Sequence, residues 1–193
     1  TLTLRPETLI RLWSDIGESV ARAGVRKLLI FNSHGGHAGI MDVVGRELRA
    51  QCDLLVYSTS WFNLPLLDAQ GQDLNQRIDA HEHRFGIHAG QVETSMMLAL
   101  RPDIVRMGQA RDFASTSAER AARYPILGNG RSAKLAWQTQ DYHPQGAVGN
   151  AAAADAGTGR ELVAAAGRSL ALLLQELSAL PLSTLVDGPD FAR

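Results

Sequence analysis

The 193-residue chain is short of cysteine, of charge of one sign and of long apolar runs. Its single cysteine, Cys52, excludes an internal disulfide and a cysteine-rich zinc site, and suits a reducing, cytoplasmic setting. The formal net charge is −1 and the pI about 6.6, with both signs scattered along the chain. Neither nucleic acid nor an anionic membrane surface is therefore an expected partner. No apolar stretch reaches the ~20 residues that a membrane helix requires. The best one, Ser169 to Leu182, contains Gln175 and Glu176. No signal peptide is visible and Thr1 is not an initiator methionine, so the expectation is a piece of a longer protein. The chain also lacks a Gly-x-Gly-x-x-Gly fingerprint, a Lys-Ser/Thr after its glycines and a Gly-x-Ser-x-Gly elbow around Ser33.

What is present is a hydrophobic content of 45%, enough for a core, in a length that fits one domain over residues 1–193. Pro6 suits a first helical turn, and Leu9, Ile10, Trp13, Ile16 and Val20 follow at helical spacing until Gly24. Lys27 to Asn32 reads as a strand buried on both faces. Ile40, Val43, Val44 and Leu48 stripe a second helix, and Leu54 to Thr59 is β-rich. Helix–strand–helix–strand with short connections implies an α/β fold with parallel strands covered by helices. Ser60 to Phe85 is a long polar excursion with a helical piece, of a length that is often functional. His88 to Leu100 reads as a helix closed by Pro102, and Asp103 to Met107 as extended. Gly108 to Ser132 shows no period. Lys134 to Asp141 resembles a strand, and His143 to Asn150 is a turn-rich loop. A last helix spans about Gly159 to Ala179, with Leu162, Leu170, Leu173, Leu174 and Leu177 inward.

Two stretches could carry chemistry. In "LLIFNSHGGH" (Leu28 to His37), His34 lies just past a strand end, where open α/β sheets bind ligands, and Gly35 and Gly36 allow a tight turn. An imidazole there can ligate a metal, move a proton or bond its own turn; a phosphate cradle is the weaker reading. In "GIHAGQVETS", His88 and Glu93 stand near a helix start. A carboxylate that faces the apolar run Met96 to Leu100 is not expected to be purely solvated; the other reading is a Glu serving the free N–H groups of that helix. "HEH" (His81 to His83) falls in a charged stretch and reads as solvated surface. Trp137, Asp141 and His143 could line a cleft, although Trp137 alternates with apolar neighbours as core residues do.

At these stretches the chain resembles the creatininase family, the creatinine amidohydrolase-like metallohydrolases. "NSHGGH" (Asn32 to His37) is similar to the family's Asn-Gly-His-Gly-Gly-Asn. "IHAGQVETSMMLALRPDIV" (Ile87 to Val105) is similar to its His-Ala-Gly-x-x-Glu-Thr-Ser block. "TLTLRPETL" and "QDYHPQGAVGNAAAADAGTGRELV" fit as well, so the resemblance covers nearly the whole chain. It implies a three-layer α/β/α sandwich on a mainly parallel sheet. It also implies two divalent metals per chain (zinc, manganese or iron), hydrolysis of a cyclic or linear amide by a metal-activated water, and a homo-oligomer, often a hexamer. By position, His34 and Glu93 match metal-binding residues, and His88 matches the histidine that shuttles protons. The three are expected to converge on one site.

Two departures accompany the match. Gly36 stands where true creatininases have a carboxylate, and His37 where Asn is usual, as a ligand or a helix cap. The family's Glu-x-His and following Asp, about half of its metal ligands, would precede Thr1. The expected function is a metal-dependent amidohydrolase acting on a small amide of the creatinine or formamide type. Its rival is a non-catalytic scaffold, or a small-molecule-binding protein with a degenerate metal site.

Overall fold

Pro6, which has no N–H to leave unsatisfied, opens α1 (Pro6–Arg22), and Gly24 at φ 89° turns the chain out of it. A computed structural model describes residues 3–189. They fall in two compact units, Thr1–Pro65 with Ala166–Arg193, and Leu66–Ala165.

In the first unit α1 is followed by β1 (Lys27–Asn32), α2 (Ala38–Cys52) and β2 (Leu55–Ser60). The two strands pair in parallel, in register from Lys27↔Leu55 to Asn32↔Ser60. Val44, Leu48 and Leu54 form the buried centre, with Ile10, Trp13, Leu28, Ile30 and Val56 packed on it. The strand period of two sets Leu28 and Ile30 toward the helices, while Phe31 and Tyr57 are exposed. β1 is thus half-buried from Lys27 to Ile30 and opens at Phe31, rather than being buried on both faces as its apolar run suggests. On α2 the buried residues are Met41, Val44 and Leu48. Val43, expected in the stripe, is 51% exposed, because spacings of three and four from Val44 pass over it. Ser14 Oγ donates to Glu47 Oε2 (3.1 Å) and ties α1 to α2.

The excursion after β2 opens with a 3-10 turn in the first unit (Trp61–Asn63) and holds, in the second, a 3-10 turn (Leu74–Arg77) and a short helix, α3 (Ala80–Phe85). Asp73 accepts from Asn75 N, and Asp79 from His81 N and Glu82 N, so each of the latter two is opened by an Asp cap. α4 (Gln91–Leu100) starts three residues later than His88. Asp103 to Met107, expected extended, is drawn into the 3-10 turns Pro102–Ile104 and Met107–Gln109. The region without a period holds β3 (Asp112–Phe113) and α5 (Thr116–Arg123), the latter capped by Ser115. No strand forms over residues 134–141. Trp137 lies 44% exposed, edge-on to Tyr142, rather than in a core. β4 (Gly149–Asn150) pairs antiparallel with β3.

α6 (Ala156–Ala179) begins in the second unit and ends in the first. Asp155 accepts from Thr158 N (2.9 Å) at its start, and Thr158, first through its hydroxyl and then its N–H, holds the Asp155 carboxyl below the ordinary carboxylate value. Leu162 and Leu177 are buried as expected, but Leu174 is exposed. By length and composition α6 is the one helix among the described residues apolar enough to cross a membrane. It carries Arg160, Glu161, Arg168 and Glu176 along its length.

The architecture is mixed α and β. Among the described residues the strands form two two-stranded sheets, one parallel and one antiparallel, rather than a continuous, mainly parallel sheet. Leu48 is fully buried in the first unit, so Leu48→Ala should cost about 2–5 kcal/mol in urea unfolding. Val43→Ala on the exposed face of the same helix should stay within about 0.5 kcal/mol.

Candidate functional site

Asn32, the last residue of β1, is buried and shapes the turn beyond the strand. Its Nδ2 donates to Ser60 Oγ (2.9 Å) at the end of β2 and to His34 O (2.7 Å), and its Oδ1 accepts from His34 N (3.1 Å). One amide side chain therefore joins the two strand ends and folds the chain back so that His34 stands two residues beyond the sheet. A Cβ on Gly36 would lie 2.8 Å from His34 Nε2, so a side chain at this position would move the exposed imidazole from its present place. His37 sits at the start of α2, but its side chain makes no capping bond. Its ring lies edge-on between His34 (centroids 4.9 Å) and Trp13 (5.5 Å). A cavity of about 500 Å³ beside this turn is lined by Trp13, Ile30, Phe31, Asn32, His34 and His37, among others.

The second motif is a backbone clamp. Ala89 has φ 52°, a left-handed conformation that costs a non-glycine residue about 1–2 kcal/mol. Two side chains of α4 hold it there: Glu93 Oε2 accepts from Ala89 N (2.7 Å), and Thr94 Oγ1 donates to Ala89 O (3.1 Å). The next residue, Ser95, is fully buried, and its Oγ accepts from Asp155 N (3.0 Å) at the start of α6. Each residue of Glu-Thr-Ser thus has a separate bonding task. Gly159 lets the backbone of α6 come against Ser95, where any Cβ would collide. His88 is locked by its backbone, donating to Val148 O (3.1 Å) and accepting from Val148 N (2.7 Å). Its Nδ1 stands 3.6 Å from Glu93 Oε2, beyond hydrogen-bond length but within ion-pair range once the ring is protonated.

The buried carboxylate is not Glu93, whose side chain is 47% exposed, but Glu82, which is 7% exposed. This corrects the reading of "HEH" as solvated surface: His81 and His83 are exposed, whereas Glu82 turns inward. Its Oε1 accepts from Gln91 N and its Oε2 from Asn150 N, both at 2.7 Å. Gly86, Gly90 and Gly149 crowd the carboxylate so closely that a Cβ on any of them would strike it. The missed signal is the spacing of Glu82, Gly86 and Gly90, which puts two residues without side chains four and eight positions after an acid.

The structure brings His88 to Glu93 and His34 to His37. His34 belongs to the first unit, His88 and Glu93 to the second. Among the described residues, no group of three or more His, Cys, Asp or Glu side chains is placed to hold a metal ion. Zinc takes three or four protein ligands, so these donors by themselves do not fit a two-metal centre. Of the possible cleft residues, Asp141 accepts from Gln138 N (2.7 Å) and the His143 ring packs edge-on to Phe113.

The creatininase family (creatinine amidohydrolase) matches residues 1–174, and the chain belongs to that family. A candidate creatinine amidohydrolase from Bacteroides fragilis NCTC 9343 is similar in structure at 26% identity and a TM-score of 0.68, over 94% of this chain and 65% of that one. A manganese form of creatininase shares the fold at 23% identity and a TM-score of 0.65, over 91% and 66% of the two chains. A Zn–Zn form of a creatininase mutant does so at 24% identity, with the same score and coverage. The chain spans about two thirds of the length of each of these relatives, 65–66%. No curated protein matches it significantly.

Gly149 combines φ 130° with a position where a Cβ would lie 2.7 Å from Glu82 Oε1 and 2.8 Å from Gly86 Cα. Gly149→Ala should therefore destabilise the protein by roughly 2–4 kcal/mol, read by urea unfolding.

Proposed function

We propose that this chain carries part of the catalytic apparatus of a metal-dependent amidohydrolase acting on a small cyclic or linear amide. Family membership supports the class. The observation that carries the reading in this molecule is the strained Ala89 turn, which holds His88 beside a carboxylate; residues kept in costly backbone conformations cluster at functional sites. His88 is the group that delivers a proton to the departing nitrogen, which must leave neutral for an amide to be cleaved. Glu93 Oε2 lies in ion-pair range of the protonated ring, and a metal-donor role for Glu93 would fall to its other oxygen. His34 is the other metal donor proposed from this chain, with divalent zinc, manganese or iron, two per chain, as the ion. The donors among the described residues are too few for a two-metal centre by themselves.

The family's α/β/α sandwich on a mainly parallel sheet is the architecture proposed for the whole protein, with β1 and β2 within it, in a cytoplasmic homo-oligomer such as a hexamer. The second reading is a non-catalytic scaffold of the same fold, and the sparse donor set together with Gly36 favours it. A paired measurement of metal content and turnover on an amide panel that includes creatinine separates the two. For the full-length enzyme, His88→Ala should lower kcat by about 10²–10⁴-fold with metal content retained. His34→Ala should lose metal and activity together. A metal-free, inactive wild-type protein would establish the scaffold, and loss of metal in His88→Ala would make His88 a ligand.

A further inference from the structure

We propose that Glu82 is a positioning residue for His88: its buried carboxylate fixes the turn that carries the imidazole. The proposal rests on the reading of His88 as the proton-transferring group. Glu82 does not touch His88; it acts through the backbone on both sides of it. Oε1 holds Gln91 N, three residues after His88, and Oε2 holds Asn150 N, two residues after Val148. Val148 is the residue that bonds His88 through both of its backbone groups. The carboxylate therefore clasps the His88–Val148 bridge from both strands.

A helix cap for α4 would need only the bond to Gln91. The second oxygen accepts from Asn150 N of β4, 68 positions from Glu82 in sequence. The glycines at 86, 90 and 149 leave no side chain between the carboxylate and the backbone it holds. The Ala89 N–H, which Glu93 accepts, lies inside the clasped segment. Any slip of the turn against β4 would move His88 and Glu93 away from their present contact.

Two variants of the full chain test the proposal. Glu82→Gln turns one acceptor oxygen into an amide nitrogen facing a backbone N–H. Gln91→Pro removes the N–H and leaves the carboxylate in place. Proline is favoured at a first helical position, and Gly90, extended at ψ −157°, suits the residue before it. The readouts are amide hydrogen exchange by NMR, and kcat, KM and metal content with creatinine and formamide-type amides. Exchange at His88 and Ala89 should become at least about tenfold faster in both variants, while Leu29 and Ile30 of β1 stay within about twofold. Turnover should fall by about 10–100-fold with KM and metal content little changed, as for a displaced catalytic group. If Glu82→Gln does not fold, Gln91→Pro decides alone. Unchanged exchange at His88 and Ala89 in Gln91→Pro overturns the proposal. So does faster exchange with undiminished kcat where His88→Ala is inactive. Full turnover in His88→Ala itself would sink the proposed function and the positioning role with it, and that result is recognisable whatever the exchange data show.

Discussion

The second unit is organised around one carboxylate taken out of water. Burying Glu82 is costly, and the cost is offset by two charge-assisted bonds from backbone N–H groups, worth roughly 1.5–3 kcal/mol each. Those bonds can form only because three glycines let the chain approach the carboxylate from α3, from the start of α4 and from β4. Two features rest on that clasp, the start of α4 and the placing of β4 against the His88 turn, while Glu93 and Thr94 hold the left-handed Ala89 inside it. The cluster is a short-range electrostatic constraint in a unit whose regular sheet is only two residues long on each strand.

The two histidine-bearing turns reach similar ends by different physics. His34 is set by a neutral side chain, Asn32, which spans the ends of two parallel strands and leaves its histidine over a glycine. His88 is set by backbone pairing and by carboxylates that accept from backbone N–H groups, Glu93 from inside the turn and Glu82 from behind it. Both motifs are made of residues that serve the backbone first. The histidines they present are the groups to which the proposed function gives the chemistry. A histidine aimed by rigid neighbours loses little freedom when it acts, which suits the proton-transferring role proposed for His88.

Much of the first unit was legible in the sequence because its signals are local. Pro6 and Gly24 bound α1, and the apolar run at Lys27 to Asn32 is β1 residue for residue. The errors there are errors of face: Val43 and Phe31 are apolar but point outward, and composition does not say which side a neighbour will cover. The strand expected over residues 134–141 failed because alternation around Trp137 has no partner strand to bury it. His88 and Glu93 were visible as a motif, and they do lie side by side. Glu82 was hidden by its exposed neighbours, His81 and His83, and by the remoteness of the residue that completes its cradle, Gly149. Burial of a polar residue is decided by tertiary contacts of that kind, and local polarity points the wrong way.

The most direct test of the Glu82 clasp is amide hydrogen exchange at Gln91 in the unaltered protein. First-turn N–H groups of a helix have no intrahelical acceptor and ordinarily exchange fast. If the buried carboxylate holds it, Gln91 should exchange as slowly as the interior amides of α4, Met97 to Leu100. Exchange as fast as that of Glu7 and Thr8, in the first turn of α1 where no side chain caps the helix, would contradict the account.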